Sequence, residues 1–373
     1  MSREIGLYLH LPFCKQKCMY CDFPSYVGQE SQMQAVVQKM CEEMEEKAKQ
    51  YQGLIVKHLY IGGGTPSLLP PHLMDTLLTK VHATFSFVEN AECSMEVNPG
   101  AIAEGFFSLL PFHGINRISV GVQSASDRLL KTLGRVHTFS QAKATILALK
   151  NAGIQNINCD MMLGLYGQSV EDVLSTLHSF FALDLTHISC YGLIVEEGTP
   201  LFDKVHQGLW QLPVEETERQ MYDLARKELE MHGFMQYEIS NFAKQGYECR
   251  HNMDCWQRGE YLGIGCSACG FMGDRRTQND PTLQGYLRGA PPTVTKISKE
   301  DAMFESVMLG LRMKKGVSEK AFYAMHGCTL LQAFGAKLQK AMRSGGLVLE
   351  DGRLFLTRKG MDIQNAILLD LMD

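Results

Sequence analysis

The sequence predicts an α/β protein built on a parallel sheet, followed by a small separate unit. Three observations carry that expectation. Through residue 193, a short apolar or β-branched run, a Gly- or polar-marked loop and a longer segment with helical spacing recur in that order. The segments between the runs are long enough for the helical crossovers that parallel neighbours need. The last ~75 residues change rhythm and read as a unit of their own.

The first strand falls at 5–11 (IGLYLHL), and the others at 57–61, 93–97, 117–121, 157–163 and 187–193. Helices are expected between them near 30–51, 71–84, 101–110, 140–152 and 169–181. Six strands are too few for a closed eight-stranded barrel. In such sheets, sites gather beyond the carboxyl ends of the strands, and that rule sorts the motifs. A further helix is expected over 215–232, then an irregular stretch rich in Gly and Cys over 240–293. The last unit reads helix (300–313), two helices (318–326 and 329–344), a hairpin (347–356) turning at Asp351-Gly352, and a final helix (359–371). The expected domains are 1–235, 236–295 and 296–373. Helices followed by a hairpin are winged-helix-like, which invites a DNA-binding reading. Residues 300–373, however, carry ten Lys and Arg against nine Asp and Glu, far from the basic footprint of a groove reader.

Bulk composition narrows the class. The whole chain has 36 Lys and Arg against 41 Asp and Glu, a net charge of -5, so no basic field draws nucleic acid. No apolar run approaches the ~18 residues of a spanning helix. The stretch MSREIGLYLHLPFC is broken by His10 and Pro12 and lacks a small-residue cleavage site, so no secretory signal is expected. A cytoplasmic location follows as the expectation. There, twelve cysteines bind metal, do chemistry or stay as buried thiols rather than form disulfides.

Cys14, Cys18 and Cys21 lie within eight residues, directly after the first strand. Three thiolates from one loop can hold three irons of a [4Fe–4S] cubane and leave the fourth open to a small molecule. The amino and carboxylate groups of a methionine-like ligand can chelate that iron. Zinc with a fourth ligand from elsewhere, or three unrelated buried thiols, are the competing readings, and the three-then-two spacing argues against chance. The second strand ends in Gly62-Gly63-Gly64-Thr65-Pro66, where missing Cβ atoms let backbone groups approach a ligand. Alone it is equally a tight turn. After a three-cysteine loop it becomes a seat for the amino group of S-adenosylmethionine. Polar residues then recur at strand ends: Glu96, Gln123 and Asp160, with Arg135 after the fourth strand. Their carboxylates suit ribose hydroxyls, and Arg135 suits a carboxylate.

Tyr8-Leu-His10-Leu-Pro12-Phe13-Cys14 through Cys21-Asp-Phe23, GGGTP, EVNP, GVQS, LGR and D-x-x-x-G-L together resemble the oxygen-independent coproporphyrinogen III oxidase family of radical S-adenosylmethionine proteins, nearly end to end. The resemblance implies a partial (β/α)6 barrel with a small C-terminal domain. Carried over by motif, it implies that Tyr8, Gly63, Gly64, Thr65, Glu96, Gln123, Arg135 and Asp160 contact S-adenosylmethionine, with Tyr20 packing beside the cluster. Two departures favour the haem-chaperone branch of the family over the oxidase. The oxidase carries a further cysteine two residues after the third, where this chain has Phe23, and an N-terminal extension, where only seven residues precede Tyr8 here. That branch implies haem and a haem-acceptor protein as partners, a respiratory-chain protein among the candidates.

The branch has a His-Asn-x-x-Tyr-Trp motif linked to haem, of which His251-Asn252-Met-Asp-Cys255-Trp256 keeps all but the tyrosine. His251 is the implied axial ligand, with the Cys255 thiolate as a rival. Cys249, Cys255, Cys266 and Cys269 lie within 21 residues and suit either a second metal or cluster, or a set of small buried residues in a Gly-rich turn. The favoured function is haem carriage. A radical enzyme acting on a tetrapyrrole or another organic substrate, and an iron–sulfur interaction protein, are the alternatives.

Overall fold

The structure is a computed structural model that describes residues 3–372. Strands and helices alternate as β1 (Arg3–Leu11), α1 (Met33–Gln50), β2 (Leu54–Gly63), α2 (Pro71–Thr84), β3 (Ser86–Val97), α3 (Phe106–Phe112), β4 (Arg117–Gln123), α4 (Asp127–Thr132), α5 (Phe139–Asn151), β5 (Asn156–Leu163), α6 (Val170–Phe181) and β6 (His187–Gly192). Helices α7 (Pro200–His206) and α8 (Glu215–Met231) lead to β7 (Met235–Glu238) and β8 (Asn241–Ala243). Then come α9 (Arg250–Trp256), β9 (Tyr261–Ile264), β10 (Cys269–Met272), β11 (Arg275–Gln278), α10 (Leu283–Leu287) and β12 (Thr293–Lys296). One twelve-stranded sheet results, in the order β12-β11-β10-β9-β1-β2-β3-β4-β5-β6-β8-β7. Strands β1 to β6 are parallel neighbours in sequence order, the (β/α)6 core, and each crossover carries its helices.

Alternate residues of a strand face opposite sides. Leu7, Leu9, Leu59, Ile61, Met95, Ile118, Val120 and Ile157 bury one face against apolar residues of α1, α2, α5 and α6. The opposite face is polar and bonded to itself. Tyr60 donates to Glu96 at 2.9 Å, Asn158 to Asp160 at 2.7 Å, and His187 meets Asn158 at 2.6 Å. Deeper still lies Arg117, 2% exposed, with its Nε lacking a partner. Burial opposes its charge, but Cys249, Glu92 and Tyr60 around it hold its pKa above the usual value. Glu92 in turn accepts from the backbone N–H groups of Arg250 and His251, tying the free end of α9 to β3. That helix thereby closes the end of the polar face away from the thiol loop.

The stretch 240–293, expected to be irregular, is ordered and joins the first core. β9 pairs parallel to β1, and β10 to β12 extend the sheet outward. Its strands are only three or four residues long, with glycine inside β9 and β10, so no period-2 signal builds up. Glycine is required there: a Cβ on Gly263 would lie 1.9 Å from the Cys269 carbonyl oxygen, and one on Gly265 2.3 Å from that of His10. Buried Glu43 on α1 fastens the segment, accepting from the Gly265 N–H at 2.9 Å, Asn279 at 2.7 Å and the Tyr286 hydroxyl at 2.8 Å.

The C-terminal unit has its own apolar core, including Val307, Phe322, Leu338, Leu354 and Ile367. It comprises α11 (Lys299–Gly310), β13 (Val317–Ser318), α12 (Glu319–His326), α13 (Leu330–Arg343), β14 (Leu347–Glu350), β15 (Arg353–Leu356), α14 (Arg358–Asp362) and α15 (Gln364–Met372). The hairpin turns at Asp351 and Gly352, both at positive φ as a tight turn requires. Two expected helices are broken: 329–344 at Gly335 (φ 48°), and 359–371 at Ile363. The helix expected over 101–110 starts only at Phe106, behind Asn98-Pro99-Gly100 and Gly105. The unit joins the sheet through Lys314 N–H to the Tyr237 carbonyl at 2.9 Å and an Arg258–Glu305 ion pair at 3.0 Å. Among the described residues, no helix is long and apolar enough to cross a membrane.

Replacing Glu43 with Ala strands the buried Gly265 N–H and Tyr286 hydroxyl and leaves Asn279 with only its bond to the Gly265 carbonyl. At about 1–3 kcal/mol for a buried group left unpaired, we expect Glu43→Ala to lose at least about 2 kcal/mol in urea unfolding. A loss below about 0.5 kcal/mol would show that the 240–293 segment is held without it.

Candidate functional site

The loop after β1 is stapled at its base, because Cys14 N–H donates to the Tyr26 carbonyl at 2.9 Å and Tyr26 N–H to that of Pro12 at 2.7 Å. It is held at its tip as well. Met19 N–H donates to the Leu133 carbonyl at 3.0 Å, and Gln16 to that of Gly134 at 3.0 Å. All three thiols, of Cys14, Cys18 and Cys21, line one cavity of about 220 Å³ at the carboxyl ends of the strands. Burial pushes the Cys21 thiol up to about 11, so iron binding there must displace a proton.

The turn after β2 is bonded to the same strand. Gly64 N–H donates to the Leu11 carbonyl at 2.8 Å and Thr65 N–H to that of Phe13 at 2.7 Å, while the Thr65 hydroxyl lies 3.6 Å from Cys14 Sγ. A Cβ on Gly64 would stand 2.5 Å from the Phe13 carbonyl oxygen. Arg135, which the α4 helix and the Gly134 turn deliver, donates to the Gly121 carbonyl at 2.6 Å and to Cys18 Sγ at 3.3 Å. Its Nε is buried without a partner, a cation directed at thiolate and any bound anion.

Glu96 accepts from Tyr60 and from Gly63 N–H at 3.3 Å, yet burial raises its pKa to about 7, helped by nearby Asp160. Asp160 is raised for the same reason, against the hydrogen bonds of Asn158, Ser189 and Ser119. Gln123 sits at φ 70°, a rare backbone for a non-glycine residue, and accepts from the Tyr191 hydroxyl at 3.1 Å. Tyr20 packs with Leu129, Leu133 and Tyr191 beside the loop.

Of the residues singled out from the sequence, Cys14, Cys18, Cys21, Tyr20, Gly63, Gly64, Thr65, Glu96, Gln123, Arg135 and Asp160 line this one cavity. Tyr8 does not. It lies one layer deeper and bonds His10 at 2.9 Å, whose other ring nitrogen meets the Pro24 carbonyl, so it acts on the loop at one remove. His251 is not brought there either. Only 9% exposed, it stacks on Tyr60 with centroids 4.6 Å apart, its Nδ1 is 3.2 Å from that of His58, and burial first, then His58, lowers its pKa to about 3. Ser119 and Tyr191 also line the cavity and were missed, since a serine or tyrosine inside a strand carries no spacing signal.

Among the described residues, no three His, Cys, Asp or Glu side chains converge on a position for a single ion. Cys249 bonds Glu92, Cys255 lies 3.7 Å from His251 Nε2, and Cys266 bonds the Asp280 and Pro281 carbonyls, each in its own surroundings. The thiol loop, the side-chain-free turn and the unpartnered Arg135 Nε instead fit a cluster with an anionic ligand beside it.

Comparison with known proteins agrees. The radical SAM superfamily profile matches residues 8–180, and the HemN C-terminal domain profile residues 297–363. Heme chaperone HemW of Lactococcus lactis is 33% identical over 371 residues, covering 98% of this chain and 97% of the relative. The chain belongs to the HemW family. The HemW proteins of Bacillus subtilis (32% identical, 96% of this chain and 97% of the relative) and Escherichia coli (34%, 94% and 96%) match over similar spans. Coproporphyrinogen III oxidase (HemN) of Escherichia coli shares the fold, with a TM-score of 0.86 at 21% identity over 99% of this chain and 90% of that one. As a radical SAM member, this HemW-family chain has S-adenosylmethionine and a [4Fe–4S] cluster as its implied cofactors.

Two substitutions test the site. Cys18→Ala should abolish the visible absorbance and cut the iron of anaerobically reconstituted protein from about four per chain. Gly64→Ala, which forces the β2 turn off Phe13, should lower the recovered iron while far-ultraviolet circular dichroism stays unchanged. Full iron content in both would mean that the loop holds no cluster.

Proposed function

We propose that this chain holds a [4Fe–4S] cluster on Cys14, Cys18 and Cys21, binds S-adenosylmethionine beside it, and carries haem to an acceptor protein. The observation that carries the reading is a match of 32–34% identity over nearly the full length to proteins named heme chaperone HemW, joined to a thiol cavity that fits the cluster. When bound, the cluster supplies one open iron and a single electron. The remaining work falls to the chain's own residues. Arg135 offsets the thiolate charge at Cys18, the glycine turn exposes backbone to the methionine moiety, and Glu96 offers a carboxylate to its amino group. Asp160 and Gln123 stand across the cavity for the ribose. Phe23 is 62% exposed at the mouth, in the place where the oxidase branch carries a further cysteine.

A radical enzyme acting on a tetrapyrrole is the second reading, favoured by the Glu96, Gln123, Arg135 and Asp160 side chains that line the thiol cavity. Haem titration and a 5′-deoxyadenosine assay on one anaerobically reconstituted sample separate the two. Haem binding without turnover supports carriage, 5′-deoxyadenosine formed in step with substrate change selects the enzyme, and no haem binding overturns carriage.

Glu96 gives a pH signature. With its pKa near 7, the carboxyl is neutral below that value and charged above it, so it becomes the stronger acceptor for the N–H groups of the iron-bound amino group as pH rises. S-adenosylmethionine affinity, read from its effect on the reduced cluster's paramagnetic resonance, should rise between about pH 6 and 8. Glu96→Gln should flatten the rise and keep its iron. A flat parent profile would remove Glu96 from the amino-group site.

A further inference from the structure

The loop that carries the three thiols is bonded to a turn 255 residues further along the chain. Tyr26, just past the loop, gives its hydroxyl proton to the Pro281 carbonyl at 2.6 Å, and the same oxygen accepts from the Leu283 N–H at 3.1 Å. Both partners belong to the turn that enters α10. We propose that Tyr26 is the positioning residue that couples the Cys14 arm of the thiol loop to this turn, so that cluster loading and the order of residues 265–283 stabilise each other. The link rests on the cluster reading above and adds the distant segment that the cluster site needs.

On the loop side, the backbone of Tyr26 is wired to the first thiol. Its carbonyl accepts from the Cys14 N–H at 2.9 Å and its N–H donates to the Pro12 carbonyl at 2.7 Å, so a shift of Tyr26 moves the peptide of Cys14 itself. Two residues earlier, the Pro24 carbonyl is 3.0 Å from His10 Nε2. A carbonyl can only accept, and burial lowers the His10 pKa and favours the neutral ring, so its proton sits on Nε2 and Nδ1 accepts from the Tyr8 hydroxyl at 2.9 Å. Residues 24–26 are thus held to β1 through their backbone, which leaves the Tyr26 hydroxyl to reach the other way.

The turn that receives the hydroxyl is one body with residues 265–268. The Asp280 carboxylate accepts from the Thr282 N–H at 2.8 Å and from its hydroxyl at 2.6 Å, while the Asp280 carbonyl accepts from the Ser267 N–H at 3.0 Å. Asn279 N–H donates to the Ala268 carbonyl at 3.0 Å, and the Asn279 side chain to buried Glu43 at 2.7 Å. This body lies close on β1 at Gly265, where a Cβ would stand 2.3 Å from the His10 carbonyl oxygen. Ligands that share one cluster can no longer move independently, so loading fixes the Cys14 arm and, through it, the Tyr26 hydroxyl. By linkage, whatever the cluster gains from an ordered turn, the turn gains from the cluster.

The test compares amide hydrogen exchange of the full-length protein before and after anaerobic cluster reconstitution, in the parent and in Tyr26→Phe, which keeps the ring and removes only the hydroxyl. In the parent, loading should slow exchange at Ser267 and Asn279 at least about fivefold, the lower end of ordinary coupling between sites. Both amides keep their carbonyl partners in Tyr26→Phe, yet there the slowing should vanish, and iron loss to a chelator should run about three- to tenfold faster, as the loss of an ordinary hydrogen bond gives. A hydroxyl with a merely structural role would lower protection equally in loaded and unloaded protein. That result, or a loaded parent whose protection at Ser267 and Asn279 equals that of the unloaded one, overturns the coupling while the cluster stands. A parent that takes up no iron overturns the cluster reading and the coupling with it.

Discussion

The hydrogen bonds from Gly64 and Thr65 to the carbonyls of Leu11 and Phe13 bind the turn after β2 to the thiol-bearing end of β1, and they can form only where β2 carries no side chain. A Cβ on Gly62 would stand 2.8 Å from the Glu96 carboxyl, one on Gly63 2.6 Å from the His10 ring, and one on Gly64 2.5 Å from the Phe13 backbone. Three parts of the site therefore meet at three adjacent positions: the carboxylate, the imidazole that anchors the loop through Pro24, and the loop's own backbone. Everything else on the rim is placed relative to this seam.

The polar lining of the sheet serves that seam from below. Tyr60 fixes Glu96 and Asn158 fixes Asp160 from outside the cavity lining, and Ser119, which does line it, adds a second bond to Asp160. The pKa values of the two carboxyls rise because burial outweighs those hydrogen bonds. The cavity floor can thus change charge near neutral pH at Glu96 without any movement of the backbone.

The six parallel strands and the thiol loop were legible in the sequence because each strand is a run of buried residues and each motif sits at its end. The rim residues were legible as a set, since strand ends converge in any sheet of this class. His251 was not. A His-Asn-x-x-x-Trp string says nothing of which face of a helix meets a core, and α9 turns its histidine inward and its tryptophan outward. The 240–293 segment was unreadable for a different reason: strands of four residues gain their stability from Glu43 and from pairing to β1, partners more than 200 residues away in sequence.

Arg117 sets a limit on how the interior can drift. Its guanidinium stays charged beneath the cavity, with Glu92 as the nearby acid, and Glu92 at the same time caps the backbone of α9. Removing either one alone leaves an uncompensated buried charge, a change that typically costs about 3–5 kcal/mol, whereas exchanging the pair for hydrocarbon of equal volume is often neutral. Here the neutral route is barred, because hydrocarbon cannot accept the α9 N–H groups that Glu92 holds. Glu92 thus couples the buried charge of Arg117 to the backbone of residues 250 and 251, so that the floor of the sheet and the start of α9 act as one unit.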